Sequence, residues 1–312
     1  MMKVAVSGAS GLVGHRLLST LQEAGHEVIK ILRSSASARS QDIIWNQTAD
    51  SATLNQLEGV DAVIHLAGES IASGRWNDAK KAAIRSSRVE PTRALSEKLA
   101  ELKNGPKTFL CASAIGFYGD RGAQELNESA PVGKDFLSGV CKEWETATAT
   151  ASEAGIRVVN LRTGVVLSKD GGALKAMLPP FLMGAGGNMG DGVQYMSWID
   201  IDDEARAIYH CLITESLSGP VNLVAPNPVS NAQFTKALGA AIKRPTIFPM
   251  PAFAARLLLG EMADALILSS TRVQCDKLQK SGFQFLYPSI SDSLNHVLNG
   301  KKATNQAATP AK

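Results

Sequence analysis

Gly8, Gly11 and Gly14 stand in the run Gly8-Ala9-Ser10-Gly11-Leu12-Val13-Gly14, directly after a short apolar segment and at the start of an amphipathic one. A glycine-rich turn between a strand and a helix is a seat for a pyrophosphate. Gly8 permits the tight turn, Gly11 lets the backbone approach the phosphates, and Gly14 lets the helix pack close to the strand. Ser10, Leu12 and Val13 complete the turn. The free N–H groups and partial positive charge of the helix N-terminus favour the anion. The end of the next strand then selects the dinucleotide. An acid there holds a ribose 2′-hydroxyl, but this chain reads Leu32-Arg33-Ser34-Ser35. Arg33 with the Ser34 hydroxyl beside it suits a 2′-phosphate, so NADP(H) is expected ahead of NAD(H). Further on, Leu66-Ala67-Gly68 offers small residues past which adenosine and its ribose can run close to the backbone.

These residues need strands and helices to hold them. Lys3–Ser7, Glu27–Leu32, Asp61–Leu66, Thr108–Ala112 and Arg157–Leu161 read as strands. Helical spacing is found over Leu12–Glu23, around Asp78–Arg88, over Pro91–Leu102 and over Phe136–Ala154. The alternation predicts an α/β fold, a Rossmann-type doubly wound parallel sheet with its ligand edge at the carboxyl ends of the strands. Residues 1–167 form the expected nucleotide-binding domain, its sheet completed by segments around 196–225. Residues 169–192 are rich in Gly and Pro and read as irregular. Residues 168–195 and 226–300 are expected to form a smaller C-terminal, substrate-side domain, and 301–312 a disordered tail.

Composition narrows the function classes. The 312 residues carry 45% apolar and 20% charged side chains, ordinary for a globular protein. A net charge of +3, from 32 basic and 29 acidic residues without a basic run, gives no reason to expect nucleic acid or a membrane as partner. No signal peptide or membrane span is read, and Cys111, Cys141, Cys211 and Cys275 have no metal-ligand spacing. Reduced thiols in a cytoplasmic protein are expected. Asp200, Asp202 and Asp203 precede a helix near Glu204 and read as caps rather than ligands, so no metal is expected. His65 reads as a core residue and His15 as a surface one. A homodimer stays open, since no apolar stripe declares an interface.

The glycine turn, Leu66-Ala67-Gly68 and Ser113 together resemble the extended, nucleotide-sugar epimerase branch of the short-chain dehydrogenase/reductase superfamily. Gly68-Glu69-Ser70-Ile71-Ala72 with Arg75-Trp76, Gly116-Phe117-Tyr118-Gly119-Asp120 and Lys142-Glu143-Trp144-Glu145 narrow the likeness. Arg162–Leu167, Met177–Phe181, Trp198–Asp203 and the Asn227-Pro228 region add to it. Over nearly the whole chain it resembles an atypical family of epimerase-like proteins with a C-terminal domain of unknown function. The resemblance implies bound NADP(H), with Arg33 at the 2′-phosphate and Leu66 and Ala67 along the adenosine. It implies a cofactor contact for Arg88 and a backbone position beside the nicotinamide for Val166.

The superfamily's chemistry uses a Tyr for proton transfer, a Lys four residues later and a Ser after the fourth strand. Ser113 stands at the Ser position. In Phe136-Leu137-Ser138-Gly139-Val140-Cys141-Lys142, Lys142 can be matched to the Lys, which puts Ser138 where the Tyr belongs. Lys142 reads equally as a solvated helix residue. Tyr118 is the nearest substitute acid/base, with aromatic packing as its alternative, and Tyr195 is a weaker candidate. The expected function is an epimerase-like, NADP(H)-binding oxidoreductase acting on an unknown small molecule. A regulator or redox sensor that binds NADP(H) without turnover is the competing expectation.

Overall fold

Val4 and Val6 point to one face of the first strand and Ala5 to the other, and all three are buried. A strand buried on both faces needs helices on both sides. The computed structural model, which describes residues 1–46 and 51–301, has that arrangement. In chain order the strands are β1 (Lys3–Ser7), β2 (Glu27–Leu32), β3 (Ile43–Ile44), β4 (Ala62–His65), β5 (Thr108–Ala114), β6 (Glu125–Leu126), β7 (Arg157–Thr163), β8 (Val165–Leu167), β9 (Tyr195–Met196), β10 (Trp198–Asp200) and β11 (Gly219–Leu223). Seven of them form a parallel sheet in the order β11-β7-β5-β4-β1-β2-β3. The chain starts in the middle of this sheet, so the order reverses between β1 and β4 and opens a crevice at their carboxyl ends.

Helices α1 (Leu12–Glu23), α2 (Asp78–Glu101), α3 (Phe136–Thr146), α4 (Ala149–Glu153), α5 (Gly172–Leu182) and α6 (Ile201–Ile213) follow the strands. On one face, Leu17 and Leu21 of α1 and Ile208 of α6 pack on Val6, Ile64, Leu110 and Val159. On the other, Leu95, Leu99, Trp144 and Ala151 from α2, α3 and α4 cover Ala5, Val63, Phe109 and Val158. Each of these Leu, Ile, Val and Phe side chains contributes about 1.5–3 kcal/mol on leaving water. A third cluster joins Trp198 and Leu174 to Phe234, Leu238, Leu294 and Val297. These last four come from α7 (Asn231–Ile242), which follows β12 (Val229–Ser230), and, after α8 (Ala252–Leu259), α9 (Glu261–Ala263), β13 (Arg272–Val273) and α10 (Asp276–Lys280), from α11 (Ile290–Asn299). β13 pairs with β6, which brings the C-terminal segment back over the carboxyl end of the sheet.

Three local expectations are corrected. The helices around 78–88 and over 91–102 are one helix, α2, with Pro91 inside it. Proline removes one helical hydrogen bond, but the turns before and after it are buried through Ile84, Val89, Leu95 and Leu99, and packing carries the helix through. The stretch 136–154 is instead two helices, broken at 147–148. The Gly/Pro-rich stretch 169–192 holds α5, whose Leu174 and Phe181 are buried on one face while Pro179 and Pro180 sit in its last turn. Of the expected tail, all but Lys301 lies outside the described residues.

A polar network runs through the apolar layers. Arg162 of β7 donates to both carboxylate oxygens of Glu145 on α3, at 2.8 and 2.9 Å, and to the Tyr118 hydroxyl at 2.9 Å. Ser113 of β5 donates to the same Glu145 at 2.7 Å. The Tyr118 hydroxyl donates to Asn222 of β11 at 2.7 Å. The guanidinium also lies 3.5 Å from the centroid of the Phe117 ring. Burial alone would lower the Arg162 pKa, but the bidentate contact with Glu145 outweighs it and raises it. Removing one partner leaves the other charge buried and unpaired. Glu145→Ala is expected to lose about 3–5 kcal/mol of stability in urea unfolding. The double replacement Glu145→Leu with Arg162→Met is expected to lose less than the single one; simple additivity of the two losses would contradict this account.

Glu204 of α6 is a different case. It is fully buried and its Oε1 accepts from the Thr163 hydroxyl at 2.8 Å, while Oε2 has no partner among the described residues. Burial pushes its carboxyl up to about 8. Between its ordinary value of 4.5 and about 8, the folded chain keeps a proton that the unfolded chain has lost. Stability therefore falls as pH rises through that window and levels off above it, by an amount on the order of 1–5 kcal/mol. Melting temperatures measured from about pH 5 to about pH 9 should show this loss in the native protein and a smaller one in Glu204→Gln. Equal slopes for the two proteins would rule Glu204 out as its source.

Candidate functional site

The glycine turn is built for close approach. Gly8 has φ +71°, and a Cβ there would lie 2.6 Å from the Leu66 carbonyl carbon. At Gly14 a Cβ would lie 2.2 Å from the Gly8 carbonyl oxygen, so any side chain would push α1 off the turn. Gly11 is the N-cap of α1 and supplies no side-chain cap, which leaves the first N–H groups facing the groove. Ser10 and Gly11 are exposed, and Leu12 and Val13 are half-buried beneath them. The cradle fits a pyrophosphate.

The same groove runs past Arg33, Leu66, Ala67 and Gly68. Arg33 and Ser34 are exposed at the end of β2. The next acid along the chain, Asp42, is turned inward: it accepts from the Lys30 and Arg39 amides at 3.0 and 2.9 Å and pairs with the Arg39 guanidinium. Glu69 lines the groove but is held by Lys80 at 2.7 Å. Among the described residues that line this wall, the one carboxylate, Glu69, is thus already paired and leaves Arg33 available to an anion. His65 lies at the end of β4 with Nδ1 2.6 Å from the Ser7 hydroxyl, and burial lowers its pKa to about 4, so the ring is neutral.

A second cleft opens at the carboxyl ends of β5 and β7. Its floor is Ala114–Gly116 and Thr163–Val165, and its side is Leu137 of α3. Here the matching of Ser138 and Lys142 to the proton-transfer pair is corrected. Lys142 is exposed on the solvent face of α3, and Ser138 is buried, its hydroxyl donating to the Gly116 carbonyl at 3.0 Å. The α3 residue that meets the cleft is Leu137; one turn on, Cys141 is buried behind Gly116, its sulfur 3.7 Å from where a Cβ at Gly116 would lie. A leucine moves no proton. Burial pushes the Cys141 thiol up to about 12, with Arg88 pulling the other way, so it stays protonated.

Ser113 and Tyr118 do not line this cleft. Both are buried in the Arg162–Glu145 network described above, and burial raises the Tyr118 phenol above its ordinary value against the pull of Arg162. Tyr195, the weaker candidate from sequence, does line it. Arg88 reaches from α2 to the floor of the crevice, donating to the Glu69 carbonyl at 2.9 Å with its guanidinium 5.2 Å from the Trp144 ring. A Cβ at Gly68 would lie 3.3 Å from that guanidinium, so Gly68 makes room for it. Val166 is half-buried in β8, next to β10.

The acids before α6 have several tasks. Asp200 caps the helix, accepting from the Asp202 amide at 2.9 Å. Asp203 is buried and accepts from the Leu286 and Tyr287 amides at 2.9 and 2.8 Å. His296 of α11 joins Asp200 and Asp202, a gathering of metal-ligand types that sequence spacing could not reveal. Its members are already engaged: Asp200 accepts from Ser293 at 2.7 Å and pairs with His296 at 3.0 Å, and Asp202 is held by Arg16 at 2.6 Å.

Comparison with known proteins fits this geometry. The NAD dependent epimerase/dehydratase family matches residues 4–223, and a domain of unknown function, DUF1731, matches residues 250–297. Epimerase family protein Mb2239 of Mycobacterium bovis is 43% identical over 294 residues, covering 94% of this chain and 97% of that protein. The crystal structure of human epimerase family protein SDR39U1 (isoform 2) with NADPH superposes with a TM-score of 0.88 at 30% identity, over 96% of this chain and all of that one. The nucleoside-diphosphate sugar epimerase from Corynebacterium glutamicum superposes with a TM-score of 0.78 at 38% identity, over 97% of this chain and 59% of that longer one. The seven-stranded parallel sheet, the glycine cradle and these matches lead to one conclusion: the chain belongs to the NAD dependent epimerase/dehydratase family.

Proposed function

We propose that this chain binds NADP(H) in the groove over Gly8 and acts as an atypical oxidoreductase on a small molecule. The observation that carries the reading is the groove itself, with its cradle at Gly8 and Gly14 and the exposed Arg33 at the end of β2. NADPH in the human relative supports the choice of cofactor. Ser10, Gly11 and the first turn of α1 would hold the pyrophosphate, Arg33 and Ser34 the 2′-phosphate, and Leu66–Gly68 the adenosine side. When bound, the nicotinamide supplies or accepts a hydride. Arg88 places a fixed cation near the floor of the crevice, on the side where α3 carries no lysine. Four buried free thiols fit a reducing compartment such as the cytoplasm.

Leu137 on the cleft face of α3, with Cys141 buried behind Gly116, favours a second reading, an NADP(H)-binding regulator without turnover, because neither can stand in for the usual acid/base pair. An epimerase proper would need that pair. Calorimetric titration is expected to show NADPH binding more tightly than NADH. Arg33→Ala should weaken NADPH by about tenfold to a hundredfold, the worth of a charged hydrogen bond, and leave NADH nearly unchanged. Binding of neither cofactor would remove both readings. Bound NADPH that no uncharged carbonyl compound oxidises would leave the regulator.

A further inference from the structure

The cleft beside α3 holds about 210 Å³, less than the roughly 300–1,000 Å³ of pockets for drug-sized ligands. Its walls include Ile71, Leu137, Met177, Met189, Met196 and Leu266. Among the described residues that line it, none carries an ionised side chain at neutral pH. The nearby cation Arg272 is paired with Glu125 at 2.9 Å.

Most polar side chains of the lining are spent on the protein itself. The Ser197, Ser269 and Thr271 hydroxyls donate to the carbonyls of Thr271, Ala265 and Gly119. The Thr163 hydroxyl donates to Glu204. Tyr195 differs, because its hydroxyl has no hydrogen-bond partner among the described residues, while its ring is fixed by the Arg272 guanidinium at 4.9 Å from its centroid. Beside it in the chain, the Gln194 amide nitrogen donates to the Met189 and Ile267 carbonyls, and this fixes which way the amide points. Its oxygen is left buried and unpaired.

We infer that this cleft takes an uncharged, largely apolar small molecule with one hydroxyl or carbonyl, and that the Tyr195 hydroxyl hydrogen-bonds that polar atom. A diphosphate has no cation to meet in this lining and would lose its hydration without compensation. Three flexible thioethers in the wall suit an apolar ligand of irregular outline. The inference rests on the proposed NADP(H) site, since the floor of the cleft adjoins the expected nicotinamide end.

The test is titration in two stages. NADPH is titrated first; its failure to bind would strike the cofactor reading and, with it, the inference that rests on that site, whereas a failure in the second stage strikes the inference alone. The NADPH-loaded protein is then titrated with 2-tetralol, an uncharged bicyclic alcohol that cannot react with the reduced cofactor, and separately with UDP-glucose. The expected result is binding of 2-tetralol, none of UDP-glucose, and a loss of about five- to tenfold for 2-tetralol in Tyr195→Phe with NADPH affinity unchanged. UDP-glucose binding as tightly as 2-tetralol, no 2-tetralol binding, or unchanged 2-tetralol affinity in Tyr195→Phe would each overturn the inference.

Discussion

The ion pair between Arg162 and Glu145 sets the rotation of α3, and much of the site follows from that rotation. Leu137, Cys141 and Glu145 succeed one another at four-residue steps, so they share one side of the helix. With Glu145 drawn under the sheet edge by two hydrogen bonds from Arg162 and one from Ser113, Cys141 has to turn inward beside Gly116 and Leu137 toward the cleft. Lys142 then has to face solvent. The same guanidinium holds Tyr118, whose hydroxyl ties into β11 through Asn222. Residues that could have served proton transfer are thereby built into the frame.

Such a buried pair is a weak source of net stability but a strong source of definition. Its charges are costly to desolvate, and they are tolerated only in one geometry where each lone pair and proton is matched. Phe117 stacked on the guanidinium closes one side, and Glu128 contributes its carbonyl on another. The network therefore fixes the relative positions of β5, β7, β11 and α3 at the carboxyl edge of the sheet, where the cofactor groove and the cleft meet.

How much of this could be read from sequence depended on the distance between cause and effect along the chain. The glycine cradle is local: Gly8 and Gly14 are seven residues or fewer from the strand and helix that they join, so spacing alone located it. Arg33 ends a strand that follows directly. The doubly wound parallel sheet followed from alternating strands and helices, but the order of its strands did not. Tertiary facts were hidden. Four-residue spacing fits Ser138 with Lys142 as well as Leu137 with Cys141, and only Glu145 meeting Arg162 across the fold separates the two registers. Pro179 and Pro180 concealed α5, because proline in a last turn looks in sequence like a break. Asp200 and His296 lie 96 residues apart, and nothing local links them.

The loop between β4 and α2 joins two parts of the molecule. At one end Gly68 and Glu69 line the dinucleotide groove. At the other, Arg75 donates to the Leu257 carbonyl of α8, and Lys81, just inside α2, pairs with Glu261. Ile71 in between is part of the cleft wall. A single strap of backbone thus touches the groove, the cleft and the C-terminal segment above them. The seat of the nucleotide and one wall of the cleft are therefore built from the same short stretch of chain, so a change of sequence there bears on both.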